Sequence, residues 1–262
     1  MPYNGFDITG SVIVVTGGTS GIGRAIALGC AQAGAHVMVG STNPDKVAAM
    51  KEALAAHGPG HDAVTLDVTD EASVAAALTL AVRRHGRLDG LVHAAGVIKK
   101  EPSLDMSAAE FRRIIDTNLT GTFIVNQQAG RLMKEQKPDA HGLRGALVNI
   151  ASLNSYISLS EVLAYAASKS GVLGIVRGLA NEWAQYGIRV NAIAPGVFPT
   201  ELNRKLIEGT PRGEWLRRHT PLDRFGRAEE LVGAAIYLLS AAASYTTGQT
   251  VVVDGGFLAR GV

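Results

Sequence analysis

Short runs of β-branched and other apolar residues alternate with longer stretches of helical spacing along almost the whole chain. Such runs, bounded by Gly, Pro, Asn or Asp, are typical of β-strands. The predicted strands are 12–16, 36–40, 63–66, 91–94, 146–151, 189–193 and 250–253. The predicted helices are 21–33, 44–57, 71–85, 107–135, 160–186 and 228–242. Strands that alternate with helices in this way predict an α/β fold with a parallel sheet.

The predicted strands are nearly all apolar and do not alternate between apolar and polar residues. This pattern indicates strands that are buried on both faces. We therefore predict a Rossmann-type, doubly wound α/β fold, with a seven-stranded parallel sheet flanked by helices on both faces. Two polar stretches with Gly or Pro, 137–144 and 203–224, fall between elements, and neither resembles an interdomain linker. The whole chain, 1–262, is predicted to be a single domain.

The composition argues against several classes of partner. The net charge is +2, from 25 basic and 23 acidic residues that are interspersed, so we expect neither nucleic acid nor an anionic membrane as a partner. No apolar run approaches the roughly 20 residues that span a bilayer, and the N-terminal residues lack the features of a signal peptide. A small-molecule substrate and the cytoplasm are expected.

Cysteine and histidine give no sign of a metal or disulfide site. The single cysteine, Cys30, lies among apolar residues of a predicted helix and is interpreted as a packing residue. The seven histidines are scattered without ligand spacing, so no metal is expected. A hydrolase is not indicated either, because no G-x-S-x-G motif occurs.

A glycine-rich segment, T-G-G-T-S-G-I-G over residues 16–23, connects the first predicted strand to the first helix. Glycine permits a tight turn and lets backbone amides approach a pyrophosphate, whose charge is favoured at a helix N-terminus. A glycine-rich string alone also fits an ordinary turn, but the strand–turn–helix context favours a dinucleotide site. The residues predicted to contact it are Gly17, Thr19, Ser20, Gly21, Ile22 and Gly23.

Tyr165 and Lys169 are four residues apart in a predicted helix, so they project from one face. A nearby ammonium stabilises a phenolate and is expected to lower the tyrosine pKa from about 10 toward the range that suits proton transfer. Such a pair also arises by chance, as one aromatic residue and one solvated lysine. Other residues must decide between the two interpretations.

The spacing T-G-x-x-x-G-x-G, together with Tyr165 and Lys169, resembles the classical short-chain dehydrogenase/reductase family, and the resemblance covers nearly the whole chain. It implies an NAD(P)(H)-dependent oxidoreductase that interconverts a secondary alcohol and a ketone. The implied catalytic residues are Asn118, Ser152, Tyr165 and Lys169. In the family the tyrosine is the acid/base, the serine holds the substrate oxygen, and the asparagine supports a water-linked proton relay to the lysine.

The resemblance also implies further cofactor contacts. In the family, the residues that match Asp67 and Val68 contact the adenine, Thr200 the nicotinamide carboxamide, and Lys169 the nicotinamide ribose. Further contacts are expected from the small residues that admit the cofactor and from the segment after the sixth strand. The remaining residues of this set are Ala94, Ala95, Gly96, Tyr165, Pro195, Gly196 and Val197. One departure is His93-Ala94, where the family usually has Asn-Asn. His93 fits either a strand residue or a functional one.

The choice between NAD and NADP should depend on the residues that follow the second strand. Here Ser41 and Thr42 stand where a carboxylate would bind the ribose hydroxyls of NAD and repel the 2′-phosphate of NADP. No acid and no arginine occurs there, and Lys46 is a possible substitute for arginine. NADP is predicted to be preferred, with NAD possible.

Several segments resemble sugar-acid dehydrogenases of the gluconate 5-dehydrogenase and 2-dehydro-3-deoxygluconate 5-dehydrogenase groups: 96–100, 180–184, 200–203, 215–226 and 253–256. A sugar acid or polyol is therefore the expected substrate, with a lid at about 197–226. The predicted substrate-binding residues are Lys99, Lys100, Ser152, Asn154 and Tyr156. The two lysines either bind a substrate carboxylate or are solvated surface groups.

Two alternatives remain open. Some of these segments are shared with 3-oxoacyl-carrier-protein reductases, which act on other carbonyl compounds. A dinucleotide-binding sensor without catalytic activity would be expected to have lost a catalytic group, and none is lost here. By the same resemblance, a homotetramer is expected, in which the helices at 107–135 and 160–186 pair across a two-fold axis.

Overall fold

The computed structural model describes residues 3–260. Within them, seven strands form one sheet in the order β3-β2-β1-β4-β5-β6-β7, and every neighbouring pair is parallel. The strands are β1 Val12–Thr16, β2 His36–Ser41, β3 Asp62–Thr65, β4 Gly90–His93, β5 Gly145–Ile150, β6 Ile188–Pro195 and β7 Thr250–Val253. The predicted doubly wound parallel sheet is thus confirmed, and the strand ends differ by at most two residues from the prediction.

The helices connect the strands and cover the sheet. They are α1 Gly21–Gln32, α2 Pro44–Ala55, α3 Glu71–His85, α4 Ala108–Ile115, α5 Gly121–Lys134, α6 Leu163–Trp183, α7 Arg204–Ile207, α8 Pro211–His219 and α9 Val232–Leu239. Ser107 caps α4 by accepting a hydrogen bond from the Glu110 amide at 3.1 Å, and Asp70 caps α3 in the same way. Among residues 3–260, no helix is both long and apolar enough to cross a membrane.

Two apolar cores lie on opposite faces of the sheet. On one face, Val12 and Val14 of β1 join a cluster that includes residues of α3, α5 and α6. On the other face, Ile13 and Val15 join a cluster with residues of α1, α2 and α9. Successive side chains of a strand point to opposite faces, so burial on both faces requires every position of β1 to be apolar or compact.

The strand order reverses direction between β1 and β4. The chain leaves β1 toward α1 on one face and leaves β4 toward α4 and α5 on the other face, so a crevice opens where the two connections diverge. In open α/β sheets, ligands bind in this crevice, beyond the carboxyl ends of the strands. The fold therefore places the loops after β1, β2, β4, β5 and β6 around one site.

The long helix predicted at 107–135 is interrupted. A π-helical turn, Asp116–Thr120, separates α4 from α5. Apolar spacing averages over several turns, so one widened turn leaves the helical pattern of the sequence almost unchanged. The prediction of one regular helix was wrong at this turn, which carries Asn118.

The helix predicted at 160–186 begins later, at Leu163, because Glu161 has a φ of 65°, outside the right-handed helical region. The helix predicted at 228–242 is a regular α-helix only over α9, with short 3₁₀ turns at Ala228–Leu231 and Ala241–Ala243. The polar stretch 203–224, which falls between the longer predicted helices, contains the short helices α7 and α8. Thr210 caps α8, accepting a bond from the Gly213 amide at 3.0 Å.

A third apolar cluster attaches α7 and α8 to the end of the sheet. Ile207 of α7 and Leu216 of α8 pack with Leu153, which follows β5, and with Phe257 near the C-terminus. All four side chains are buried. The segment 197–226 therefore lies over the carboxyl ends of β5 and β6.

Candidate active site

A groove of about 610 Å³ lies at the carboxyl edge of the sheet, a size common for ligand sites. We call it the main groove. The structure brings together there most of the residues predicted to contact a cofactor: Gly17, Thr19, Ser20, Gly21, Ile22, Gly23, Ser41, Thr42, Asp67, Val68, Ala94, Ala95, Gly96, Tyr165, Lys169 and Thr200. Pro195 ends β6 and is buried, and it does not line this groove.

The glycine-rich loop fits closely against the loop after β4. Gly17 has a φ of 66°, and a Cβ atom on it would lie 2.6 Å from the backbone N and Cα atoms of Ala95. A Cβ atom on Gly23 would lie 2.4 Å from the carbonyl oxygen of Gly17. Real Cβ atoms do not approach backbone atoms so closely, so both positions require glycine for this turn.

The N-terminus of α1 opens into the main groove without a competing anion. Ser20 is the N-cap residue, yet its side chain accepts no capping hydrogen bond, and the first turn of α1 contains no acidic residue. The first amides of a helix lack intrahelical acceptors and carry partial positive charge. This cradle of glycines and free amides fits the pyrophosphate of a dinucleotide.

An ion pair crosses the main groove at the end of β2. Lys46, in the first turn of α2, pairs with Glu201, which follows β6, and both side chains line the groove. Their side chains are 44% and 66% exposed, so the pair contributes little net stability and the lysine can exchange partners. Ser41 and Thr42 line the groove beside it.

The other end of the main groove holds Tyr165 and Lys169, both on α6. The Lys169 side chain is buried, and its Nζ atom donates a hydrogen bond to the carbonyl oxygen of Ile150 at 2.6 Å. The same atom lies 5.7 Å from the centre of the Tyr165 ring. The ammonium is therefore close to the phenol and is fixed in place by the end of β5.

Burial changes the pKa of both groups. It lowers the pKa of Lys169 to about 8, because the charged ammonium is desolvated. Burial raises the pKa of Tyr165, and a hydrogen bond with Ser152 opposes part of that increase. The expectation that the lysine lowers the tyrosine pKa is not met, because desolvation by burial dominates. The ammonium donates to Ile150 and not to the phenol.

Ser152 follows β5 and is 6% exposed. Its Oγ atom accepts a hydrogen bond from the Asn154 amide at 3.1 Å, and Asn154 Oδ1 in turn accepts one from the Leu159 amide at 3.1 Å. Ser152 also interacts with Tyr165 and opposes part of the rise in its pKa, so the two side chains lie near each other at the end of the sheet.

Asn118 lies in the π-helical turn and is completely buried. Its Oδ1 atom accepts the Val97 amide at 2.8 Å, and its Nδ2 atom donates to the Val97 carbonyl at 2.9 Å and to Ser168 Oγ at 3.1 Å. The side chain therefore ties the loop after β4 to α6, the helix of Tyr165 and Lys169.

His93 is also buried, and its Nδ1 atom lies 2.8 Å from Thr16 Oγ1. Burial, with a smaller contribution from the charge of Lys169, lowers the pKa of His93 to about 3, so the ring is neutral at physiological pH. Its Nε2 atom has no hydrogen-bond partner among residues 3–260. These contacts favour its interpretation as a buried strand residue.

Tyr165 and Ser152 line a second cavity, which adjoins the main groove beneath the segment 197–226. The other residues that line this second cavity are Ile98, Leu153, Asn154, Leu159, Val162, Gly196, Val197, Asn203, Leu206, Ile207, Arg212 and Leu216. Tyr165 belongs to both, so its hydroxyl lies where the main groove and the second cavity meet.

Three predicted substrate residues are not brought to the second cavity. Lys99 Nζ lies 3.1 Å from a carboxylate oxygen of Glu101, and Lys100 Nζ lies 3.0 Å from one of Glu161. Tyr156 is 49% exposed. None of the three lines the main groove or the second cavity. The two lysines are neutralised by nearby acids, a pairing that the sequence did not indicate.

Two residues near the site were missed by the sequence analysis. Asn203 Oδ1 accepts hydrogen bonds from the Thr200 amide at 2.9 Å and from Thr200 Oγ1 at 3.3 Å, and so fixes that side chain. Arg212 lines the second cavity from α8. The spacing of a polar residue three positions after Thr200 was a signal for the first. Arg212 lies within the predicted lid, 197–226, but no spacing in the sequence singled it out.

Comparison with known proteins extends over nearly the whole chain. The family model described as enoyl-(acyl carrier protein) reductase matches residues 16–258. The chain is 39% identical to a D-threitol dehydrogenase of Mycolicibacterium smegmatis over 252 residues, which are 96% of this chain and 94% of that protein. It is 33% identical to a gluconate 5-dehydrogenase of Gluconobacter oxydans over 251 residues, 96% of each chain.

A solved structure is similar throughout. It is that of a gluconate 5-dehydrogenase from Burkholderia cenocepacia in complex with NADP and tartrate. The two structures superpose with a TM-score of 0.91 at 36% sequence identity, covering 98% of this chain and 99% of that one. The resemblance drawn from the sequence motifs, including its sugar-acid dehydrogenase relatives, is confirmed.

Replacing Gly23 with alanine should weaken dinucleotide binding. The added Cβ atom would meet the Gly17 carbonyl and displace the glycine-rich loop, which we expect to reduce NADPH affinity about tenfold or more. Fluorescence titration measures this affinity, and circular dichroism checks the fold. Gly233→Ala is the matched control, because its Cβ atom would have no neighbour within 4 Å. Unchanged affinity in Gly23→Ala would mean that the loop does not bind the dinucleotide.

Proposed function

Because the chain belongs to the short-chain dehydrogenase/reductase family, we propose that it interconverts a secondary alcohol and a ketone on a sugar acid or polyol, with NADP(H) as cofactor. One observation supports this most directly. Tyr165, with Ser152 nearby, lines both a groove suited to a dinucleotide and a second, partly polar cavity. A proton donor is thus available to a substrate that reaches the cofactor.

The lining of the second cavity supports a hydroxylated substrate. It includes the polar side chains of Ser152, Asn154 and Asn203 beside apolar ones. A 3-oxoacyl chain would be better served by a uniformly apolar cavity, so that alternative is less favoured. A sensor without catalytic activity is less favoured too, because none of the four expected catalytic residues, Asn118, Ser152, Tyr165 and Lys169, has been lost.

In the proposed mechanism, the bound nicotinamide supplies the hydride for reduction or accepts it in oxidation. Ser152 Oγ, held by the Asn154 turn, donates a hydrogen bond that orients the substrate oxygen. Tyr165 transfers its proton to that oxygen in reduction and takes it back in oxidation. The charge of Lys169, fixed by Ile150, favours the phenolate that remains after transfer.

Other residues hold this arrangement. Asn118 connects the loop after β4 to α6, and we propose that it keeps Lys169 aligned with the main groove and supports the proton relay. Asn203 orients Thr200, the residue proposed to hold the nicotinamide carboxamide. The residues Ser20, Asp67, Val68, Gly196 and Val197 are proposed to complete the cofactor site.

NADP is proposed as the preferred cofactor because the groove beside Ser41 carries hydroxyls and an exchangeable cation but no carboxylate fixed by β2. Glu201 lines the groove beside Lys46, and it is already paired with that lysine. A 2′-phosphate would compete with Glu201 for the ammonium of Lys46. The related structure in complex with NADP is consistent with this choice.

The proposal extends to the surroundings of the site. The segment 197–226 is proposed to act as the substrate lid of a single domain. Large apolar side chains are exposed on the helices expected to pair in a tetramer, Phe111 on α4, Phe123 on α5 and Leu163 on α6, and they support a homotetramer. The buried, free thiol of Cys30 suits the reducing cytoplasm, the proposed compartment.

Replacing Tyr165 with phenylalanine should abolish turnover of a sugar acid or polyol. The ring still packs but has no proton to transfer, so we expect kcat to fall about 10²- to 10⁴-fold while the Kd for NADPH stays within about twofold. Steady-state kinetics and fluorescence titration measure the two quantities. Tyr245→Phe, a fully exposed tyrosine, is the control. Retention of more than a few per cent of wild-type kcat would refute the proposed role.

Ketone reduction should slow as the pH rises through about 8. Below that value Lys169 is charged and favours the phenolate, and above it the lysine loses its proton. The pKa of Tyr165 is raised, so the tyrosine remains protonated over this range and does not cause the fall. The measurement is kcat/KM for the ketone between pH 6 and 10 at saturating NADPH. A flat profile up to pH 10 would contradict the assignment to Lys169.

Replacing Lys46 with alanine should reduce NADPH affinity about tenfold and leave NADH affinity nearly unchanged, because only NADPH carries the 2′-phosphate. Glu201→Gln should act in the opposite direction, since it frees Lys46 from its acid. Ser41→Asp should shift preference toward NADH by repelling the phosphate. Titration of each variant with both cofactors gives the ratios. Equal losses for both cofactors would show that Lys46 does not contact the phosphate.

A further inference from the structure

Among residues 3–260, one side chain with a formal charge lines the second cavity. Its lining residues are apolar or neutral and polar, with the exception of Arg212 on α8. The cavity also includes Tyr165 and Ser152, where the reacting alcohol or ketone is proposed to lie. Any charged substituent of the substrate would therefore meet a positive charge on the lid side.

A hydrogen bond fixes where the guanidinium of Arg212 lies. Its Nη1 atom donates to the carbonyl oxygen of Ser160 at 3.1 Å. Leu159 and Val162, on either side of Ser160, line the second cavity. The guanidinium therefore lies against the cavity wall that precedes α6. A guanidinium has five N–H donors, so most of them remain available after this one bond.

Arg212 has no acidic partner in the part of the chain that the structure describes. It forms no ion pair with any of residues 3–260. On the same helix, Arg217 and Arg218 both pair with Glu214. Glu161, which follows Ser160, pairs instead with Lys100 at 3.0 Å. The cation on the cavity wall thus lacks the partner that the nearby cations have.

The second cavity also offers a neutral donor. Asn154 is 6% exposed, and its Oδ1 atom accepts the Leu159 amide. Its Nδ2 atom donates to no residue in the range 3–260. An amide donor of this kind suits a substrate hydroxyl, and a planar guanidinium suits a carboxylate, which it can bind with two parallel hydrogen bonds.

We propose that Arg212 binds the carboxylate of the substrate, and that the natural substrate is therefore a polyhydroxylated carboxylic acid and not an uncharged polyol. This inference rests on the proposed alcohol–ketone chemistry and narrows its substrate class. Arg212 takes the role that the sequence suggested for Lys99 and Lys100, whose charges are balanced by Glu101 and Glu161. The lid thereby contributes the specificity, and α6 contributes the proton transfer.

The test compares gluconate with D-glucitol, which has the same carbon chain and a CH₂OH group in place of the carboxylate. Arg212→Gln removes the charge and keeps a hydrogen-bond donor for Ser160, and Arg212→Lys keeps the charge without the planar fork. Arg218→Gln is the matched control, because Arg218 lies on the same helix, pairs with Glu214 and lines neither site. Lys99→Gln and Lys100→Gln test the earlier assignment.

Binding and turnover are measured separately, so that the role of Arg212 and the proposed alcohol–ketone reaction are tested independently. Equilibrium binding of both compounds is measured by calorimetry on NADP-loaded Tyr165→Phe enzyme, with and without the Arg212 changes. Turnover is measured on the enzyme with Tyr165 intact. Absence of turnover with every alcohol and ketone would refute the proposed function, while the binding data alone decide the role of Arg212.

Arg212→Gln should weaken gluconate binding about ten- to hundredfold, with a similar loss of kcat/KM carried mainly by KM. D-Glucitol binding should change less than about threefold, and Arg212→Lys should restore part of the gluconate affinity. The control and both lysine variants should match the parent. Equal losses for the two compounds, or a parent enzyme that binds gluconate no more tightly than D-glucitol, would overturn the inference. Selective loss in a lysine variant would return the role to that lysine.

Discussion

The close packing of the glycine-rich loop against the loop after β4 is the constraint on which the site depends. A Cβ atom on Gly17 would overlap the backbone of Ala95, so these two loops touch at the point where the strand order reverses. Because the loops are in contact, the N-terminus of α1 and the small residues after β4 form one continuous surface. The catalytic end, fixed by Asn118 between Val97 and α6, is positioned relative to that surface.

Burial has opposite effects on the two catalytic groups. Desolvation raises the pKa of a phenol and lowers that of an ammonium. It therefore brings the pKa of Lys169 closer to neutral pH and moves the pKa of Tyr165 further above it. The Nζ atom of Lys169 donates to the Ile150 carbonyl and not to the phenol. The acid form of Tyr165 is thereby the stable form, which is the state that ketone reduction requires.

The sequence predicted the sheet well, because burial on both faces imposes apolar residues at every strand position, as in Val12–Thr16. Contacts that depend on tertiary structure were less accessible. The π-helical turn at Asn118 leaves the apolar period intact. Glu101, which pairs with Lys99, is two positions away in the sequence, and Glu161, which pairs with Lys100, lies on a different loop. No spacing rule selects either acid. Likewise, the four-residue spacing of Tyr165 and Lys169 does not reveal that the lysine donates its hydrogen bond to the Ile150 carbonyl.

The segment 197–226 connects the two halves of the site physically. Thr200 and Glu201 line the main groove, whereas Asn203 and Arg212 line the second cavity, so a short stretch of chain contacts both. Hydrogen bonds join Thr200 to Asn203, so a residue of the main groove contacts a residue of the second cavity directly. Since α7 and α8 are held on the sheet mainly by the small apolar cluster around Leu153, a ligand in either place stabilises the same segment. Cofactor and substrate binding are therefore expected to favour each other, because each pays part of the ordering that the other needs.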